Sequence, residues 1–248
     1  MSGVIPTELT LIRHGESTGN VARAAAMAAD AAIIEIAGTD LDVGLTPLGE
    51  EQSLVLGRWF AREGIGADRL IASPYRRTIQ TAERIEAGSG WTVEIELDER
   101  IREKEFGLLN RLTHRGIQER YPEEAAARRR IGKFDYRPPQ GESWVDVIAR
   151  ANDFYRSLCE RPRAERVVVV THQVVVMCLR YVIEGLDEAQ LLAIDRAGDV
   201  KNCALTRYRA GTAGLELITY NSLEALAAMR APLTADPSPP VHEAENGR

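Results

Sequence analysis

Residues 9–20 read LTLIRHGESTGN. An apolar run with a β-branched end stops at Arg13-His14-Gly15, and a Ser/Thr/Gly/Asn cluster follows. A buried strand therefore ends where a cation and an imidazole begin. RVVVVTH, at 166–172, repeats the pattern with His172 at its end. Continuous apolar strands of this kind are buried on both faces, as in a parallel sheet. RLIAS (69–73) is a third strand candidate, and the alternating TVEIEL (92–97) is a fourth, nearer an edge. Helical patterns lie between them. TPLGEEQSLVLGRWFAREG has Thr46 as N-cap and Pro47 at its first position. YRRTIQTAERIEAG ends at Gly88, read as its C-cap. Gly141-Glu142-Ser143 opens a helix with Trp144, Val147, Ala151, Phe154 and Leu158 on one face, and VVVMCLRYVIEG stops at Gly185. Strands alternating with helices predict an α/β fold with a mainly parallel sheet.

Two segments interrupt the rhythm. The Ala-rich stretch 21–38 reads as an inserted helix, and a lid of about 112–143 runs from a helical start through a basic, aromatic stretch to Pro138-Pro139. Residues 1–230 are expected to form the domain, and the polar, Pro-rich 231–248 a disordered tail.

The chain has 248 residues, 44% of them hydrophobic, enough for a substantial core. Its net charge of −6 argues against a nucleic-acid partner, whose affinity would need a positive surface. Cys159, Cys178 and Cys203 form no CxxC pair, so neither a disulfide framework nor a thiolate metal site is expected. No leader is legible at the N-terminus, and no apolar run approaches the length of a membrane span. A reduced, cytoplasmic protein is the expectation.

Of the four histidines, His242 falls in the tail and His114 in a polar loop, where both read as solvated. His14 and His172 both follow strong apolar strands. In one parallel sheet they would meet at the carboxyl edge, where α/β proteins place their ligands. The plainer reading is a pair of polar residues capping strands, which two occurrences in the same position weaken. SPYRRT (73–78) brings Arg76 and Arg77 to the same edge, and RIREKEFG (100–107) brings acids. Guanidinium groups fork onto phosphate oxygens and stay charged, so the set suits phosphoryl transfer: an imidazole to attack, cations for the oxygens, and an acid for the leaving group. Metal hydrolysis is the rival. However, arginines beside the histidines would repel a divalent cation, and no HxH or HExxH completes a ligand shell. No metal and no cofactor are expected.

LIRHGESTGN resembles the Arg-His-Gly signature of the histidine phosphatase superfamily, the phosphoglycerate mutase-like fold. SPYRRTIQTAE, REKEFG and VVVTHQ follow in the family's order, so the resemblance covers residues 8 to about 220. It implies a three-layer fold, a mainly parallel sheet flanked by helices, here with a helical insertion and lid. It implies a metal-independent phosphomonoesterase acting on a small phosphorylated substrate through phosphohistidine. His14 would be the nucleophile. Arg13, Arg77, His172 and Asn20 would hold the phosphoryl group, and Glu103 would donate the proton, with Glu105 the alternative carboxylate. Relatives are often dimers, so a homodimer is compatible with the resemblance, although no decisive apolar patch marks an interface.

The branch is read from departures. Gly19 before Asn20, and REKEFG in place of Glu-Arg-His-Tyr-Gly, remove the marks of a mutase-type phosphoryl transferase, which stays an alternative beside a low-activity binding module. RTIQTAE, IQERYPEE, YRPPQGES and THQVVVMCL resemble the fructose-2,6-bisphosphatase domain. By that resemblance Tyr121, Arg137 and Gln173 would line the substrate side. Gln140 and Met177 stand where that domain carries cations, so a monophosphate ester is as compatible as a bisphosphate.

Overall fold

The computed structural model describes residues 4–160 and 165–235. Six strands form one sheet, in the order β3 (Ile95–Leu97), β2 (Arg69–Ala72), β4 (Arg166–Thr171), β1 (Glu8–Arg13), β5 (Leu205–Ala210), β6 (Leu215–Ser222). The first four run parallel, and β5 and β6 add an antiparallel hairpin against β1. The two strongest apolar runs are neighbours at the centre, with Leu9, Leu11, Ile12, Val169 and Val170 fully buried. The edge position expected for 92–97 is that of β3, shortened to three residues.

Helices cover both faces. On one face α2 (Pro47–Arg62) packs against α3 (Arg76–Ser89), with α9 (Glu224–Ala228) beside α2; Leu56, Phe60, Ile85 and Leu226 fill that layer. On the other, α6 (Trp144–Cys159) packs against α7 (Gln173–Glu184), which touches α8 (Glu188–Ala197); Trp144, Val147, Phe154 and Met177 fill that layer. This is the three-layer arrangement expected. Burying each such large side chain contributes about 1.5–3 kcal/mol, so the core rather than helix propensity holds these amphipathic segments in place. Thr46 caps α2 with Pro47 inside it, Ser143 caps α6 in a reciprocal capping box, and α7 stops at Gly185 with φ +64°.

Two local expectations are corrected. Gly88 does not cap α3; the helix ends one residue later, and Gly90 takes the left-handed conformation at φ +71°. Gly88 instead faces Gly57 across the helix crossing. A Cβ on Gly57 would come within 2.3 Å of the Ile85 carbonyl oxygen, and one on Gly88 within 2.3 Å of that of Leu54. Nor is 21–38 one helix. Helix α1 spans Thr18–Ala28, capped by Ser17 and Asn20, and Asp30 then turns the chain at φ +46°. Residues 31–46 form a strap: Ile33 bridges to Leu112, Leu45 to Ser17, and Arg111 donates to the carbonyls of Ile36 and Gly38. β-Branched Ile33 and Ile34 suit that extended path better than a helix. The lid region holds α4 (His114–Arg120) and α5 (Pro122–Ile131), and no helix among the described residues is long and apolar enough to cross a membrane. Gln52 Nε2 donates to the Pro232 carbonyl and to Thr234 Oγ1; residues 236–248 of the expected tail, His242 included, lie outside the described residues.

Candidate active site

Register brings the two histidines together. Arg13 pairs with Thr171 across β1 and β4, so the next residue of each strand, His14 and His172, emerges side by side at the carboxyl edge. Their rings lie 5.3 Å apart, edge to face, and both are buried. Gly15 lets the turn close on α2: a Cβ there would sit 2.6 Å from the Gly49 carbonyl oxygen and 2.7 Å from Ser53 Oγ.

The His14 ring has a fixed tautomer. His14 Nδ1 lies 2.8 Å from the Gly15 carbonyl oxygen, which can only accept, so Nδ1 carries the proton. Burial, then Arg77 and Arg13, hold the His14 pKa well below its ordinary 6.5. The ring is therefore neutral, and Nε2 keeps its lone pair. His172 is likewise held neutral, first by burial and then by Arg77. Its Nε2 lies 2.8 Å from Ser73 Oγ, and its Nδ1 is buried with no hydrogen-bond partner, 3.7 Å from Glu103 Oε2.

Cations surround the pair. Arg13 is half-buried, donates to the Val200 carbonyl and leaves a buried Nε without a partner. Burial lowers its pKa to about 10, with Asp199 and Glu103 opposing the shift, so it stays charged at neutral pH. Arg77 enters from the first turn of α3, 5% exposed, its guanidinium 4.7 Å from the centre of the Tyr75 ring. Burial raises the Glu103 pKa, against the pull of Arg77. Leaving a buried donor unpaired costs about 1–3 kcal/mol, so an anion accepting from Arg13 Nε and His172 Nδ1 would relieve two such penalties.

The loop bearing Glu103 is braced from behind. Arg150 of α6 donates to the carbonyls of Arg100 and Glu103, and Glu142 accepts from Arg150, Arg102 and the Glu105 amide. Beside the site lies a cavity of about 430 Å³, lined by Asp40, Tyr75, Glu99, Arg102, Glu105 and Asn110 among others.

A family model described as the histidine phosphatase superfamily (branch 1) matches residues 9–223. The chain belongs to the histidine phosphatase superfamily. It is 34% identical over 176 residues to human 6-phosphofructo-2-kinase/fructose-2,6-bisphosphatase 1, a match covering 71% of this chain and 32% of that protein. The chain thus spans about a third of that relative's length. Among solved structures, mycobacterial glucosyl-3-phosphoglycerate phosphatase in complex with VO3 aligns with a TM-score of 0.69 at 24% identity, covering 88% of this chain and 100% of that one. The α-ribazole phosphatase of Shigella flexneri aligns at 0.70 and 21%, covering 87% and 96%. At these identities the structural likeness speaks for the phosphoglycerate mutase-like fold.

The expected site residues do not all converge. Arg13, His14, Arg77, Glu103 and His172 do. Asn20 adjoins them through Asn202, whose Nδ2 donates to the His14 carbonyl and to Asn20 Oδ1. Gln173 opens α7 beside His172, but its amide donates to Asp199 Oδ1 at 2.6 Å. Tyr121 sits at the junction of α4 and α5. Arg137 lies on the lid with its side chain 62% exposed and paired with Asp146, within the first turn of α6. Phe134, Tyr136 and Trp144 are buried packing residues, and Arg76 is exposed. Met177 is wholly buried.

Ser73, Asn202 and Asp40 were not legible as site residues. Ser73 had a signal, standing directly at the end of the third strand. The spacing Cys203 to Arg209 spells Cys-x5-Arg, but it runs along β5 rather than around a loop. Burial pushes the Cys203 thiol up to about 12. Among the described residues no group of three or more His, Cys, Asp or Glu is placed to hold a metal ion.

Proposed function

We propose that the protein is a metal-independent phosphomonoesterase that works through a phosphohistidine on His14, with a small phosphorylated metabolite such as a sugar phosphate as substrate. One observation carries this reading: a buried, neutral imidazole whose Nδ1 proton is committed to the adjacent carbonyl, leaving its Nε2 lone pair among two guanidiniums and a second neutral imidazole.

In the first step His14 Nε2 attacks phosphorus in line and the bond to the leaving oxygen breaks. That oxygen takes the proton of Glu103, leaving phosphohistidine, an alcohol and a carboxylate. In the second step Glu103 takes a proton from water as the water oxygen bonds to phosphorus, and the P–N pair returns to Nε2. Arg13 and Arg77 offset the charge on the equatorial oxygens throughout. His172 donates to the same oxygens from Nδ1, with Nε2 accepting from the Ser73 hydroxyl. The raised Glu103 pKa supports its starting as an acid. The relatives named above, with sugar-phosphate substrates in two of their names, support the substrate class. The unpaired cysteines suit a reducing, cytoplasmic setting.

The test is phosphate release by wild type and His14→Ala with chelator present. The panel is p-nitrophenyl phosphate, sugar monophosphates, nucleotides, 3-phosphoglycerate and fructose-2,6-bisphosphate. Chelator-resistant release by wild type alone is expected; equal silence from both proteins would overturn the reading.

A further inference from the structure

The strap puts a carboxylate on the guanidinium of Arg77. Asp40 stands at its bend, in a single 3-10 turn, and takes one whole edge of the Arg77 guanidinium. Arg77 Nη1 donates to the Asp40 carbonyl oxygen at 2.8 Å and to Oδ1 at 3.3 Å, and Nη2 donates to Oδ2 at 3.2 Å. The strap is fastened on both sides of this contact, by Arg111 on the Ile36 and Gly38 carbonyls and by Thr18 N on the Gly44 carbonyl at 3.0 Å. Arg77 itself cannot retreat, being 5% exposed and stacked on Tyr75.

We infer that Asp40 is a positioning residue that competes with the substrate: it holds the Arg77 guanidinium, and a phosphoryl group binds by sharing or displacing its carboxylate. The inference rests on the phosphatase reading of the site. A carboxylate on the same guanidinium repels an incoming dianion, so Asp40 weakens the binding of substrate and of product phosphate alike. Weak product binding favours release after each turnover, which gives the contact a use. Asp40 also faces the proton donor, and its charge helps keep the proton on Glu103.

Two variants separate charge from support. Asp40→Asn keeps the backbone carbonyl and an amide oxygen for Arg77 but removes the charge, whereas Asp40→Ala removes the whole side chain. Inorganic phosphate is the probe, its dissociation constant measured by calorimetry and its inhibition constant against p-nitrophenyl phosphate. For Asp40→Asn both constants should fall about tenfold, KM should fall with them, and kcat should not rise. The alkaline limb of the kcat profile should move to lower pH, because Glu103 loses a neighbouring anion; a purely structural role for Asp40 would not move it. Unchanged or weaker phosphate binding by Asp40→Asn, in a wild-type background that hydrolyses the ester, overturns the inference and leaves the phosphatase reading standing. If wild type neither hydrolyses the ester nor binds phosphate, both fall. Weaker binding by Asp40→Ala alone would not rescue the competition, since it measures only support of Arg77.

Discussion

Replacing Ser73 by alanine removes one oxygen and no bulk that the fold needs. Ser73 Oγ lies 2.8 Å from His172 Nε2, and both residues are fully buried. The ring nitrogen loses its partner, at about 1–3 kcal/mol. By donating to Nε2 the hydroxyl would keep the proton on Nδ1, 3.7 Å from Glu103 Oε2, as the proposed mechanism requires. If about 1.4–2.7 kcal/mol of that energy is lost from transition-state binding, kcat/KM falls about tenfold to hundredfold. Hydrolysis of p-nitrophenyl phosphate should be followed at saturating and sub-saturating substrate, with Tm measured on the same samples. Tm should drop by only a few degrees, at about 2–4 °C per kcal/mol for a chain of this size, so the enzyme remains folded under assay. A kcat/KM within twofold of wild type would refute the role given to the serine and the tautomer assigned to His172.

Glu103→Gln should lower kcat by about 10²–10⁴ on alkyl phosphates and much less on p-nitrophenyl phosphate, whose leaving group needs no proton; equal losses on both would remove Glu103 as the donor. His14 and His172 stay neutral in the fold but protonate in the unfolded chain below the ordinary 6.5. Their depressed values therefore make stability complete above that pH and progressively lost below it. Urea titrations from about pH 8 to about pH 5 should show this, with the acid-side slope reduced in His172→Gln, and an unchanged slope would contradict the burial argument. Gly88→Ala should destabilise the protein by about 1–3 kcal/mol, because the new methyl meets a backbone carbonyl of α2; thermal melting checks it, and a neutral result would mean that α2 and α3 slide apart freely.

What the sequence made legible followed from periodicity and from sharp chemical contrasts. Continuous apolar strands ending in Arg-His and Thr-His located the sheet edge and both imidazoles, because burial on two faces permits only apolar residues until the chain reaches a ligand. The hairpin β5–β6 was not read, since LTRYRA mixes buried Leu205, Thr206 and Tyr208 with charged, partly exposed Arg207 and Arg209. The Ala-rich insertion misled for a similar reason. Alanine favours helix without specifying a buried face, so the boundary at Asp30 was set by contacts with Leu112 and Thr113, far along the chain. The pairing of Arg137 with Asp146 in the following helix was not legible either, because it depends on how the lid folds back on α6. Ser73, Asn202 and Asp40 act through other residues, and such partnerships depend on three-dimensional register that no local pattern encodes.

The proposed mechanism turns on a covalent bond between phosphorus and one nitrogen, His14 Nε2. Rapid quenching into alkali during turnover, followed by peptide mass spectrometry, reads it directly. An acid-labile, alkali-stable phosphoryl group is expected on the peptide containing His14 in wild type, accumulating further where the second step is slowed. None is expected in His14→Ala. Turnover with no phosphoryl group on His14, or a phosphoryl group on His172 instead, would contradict that mechanism.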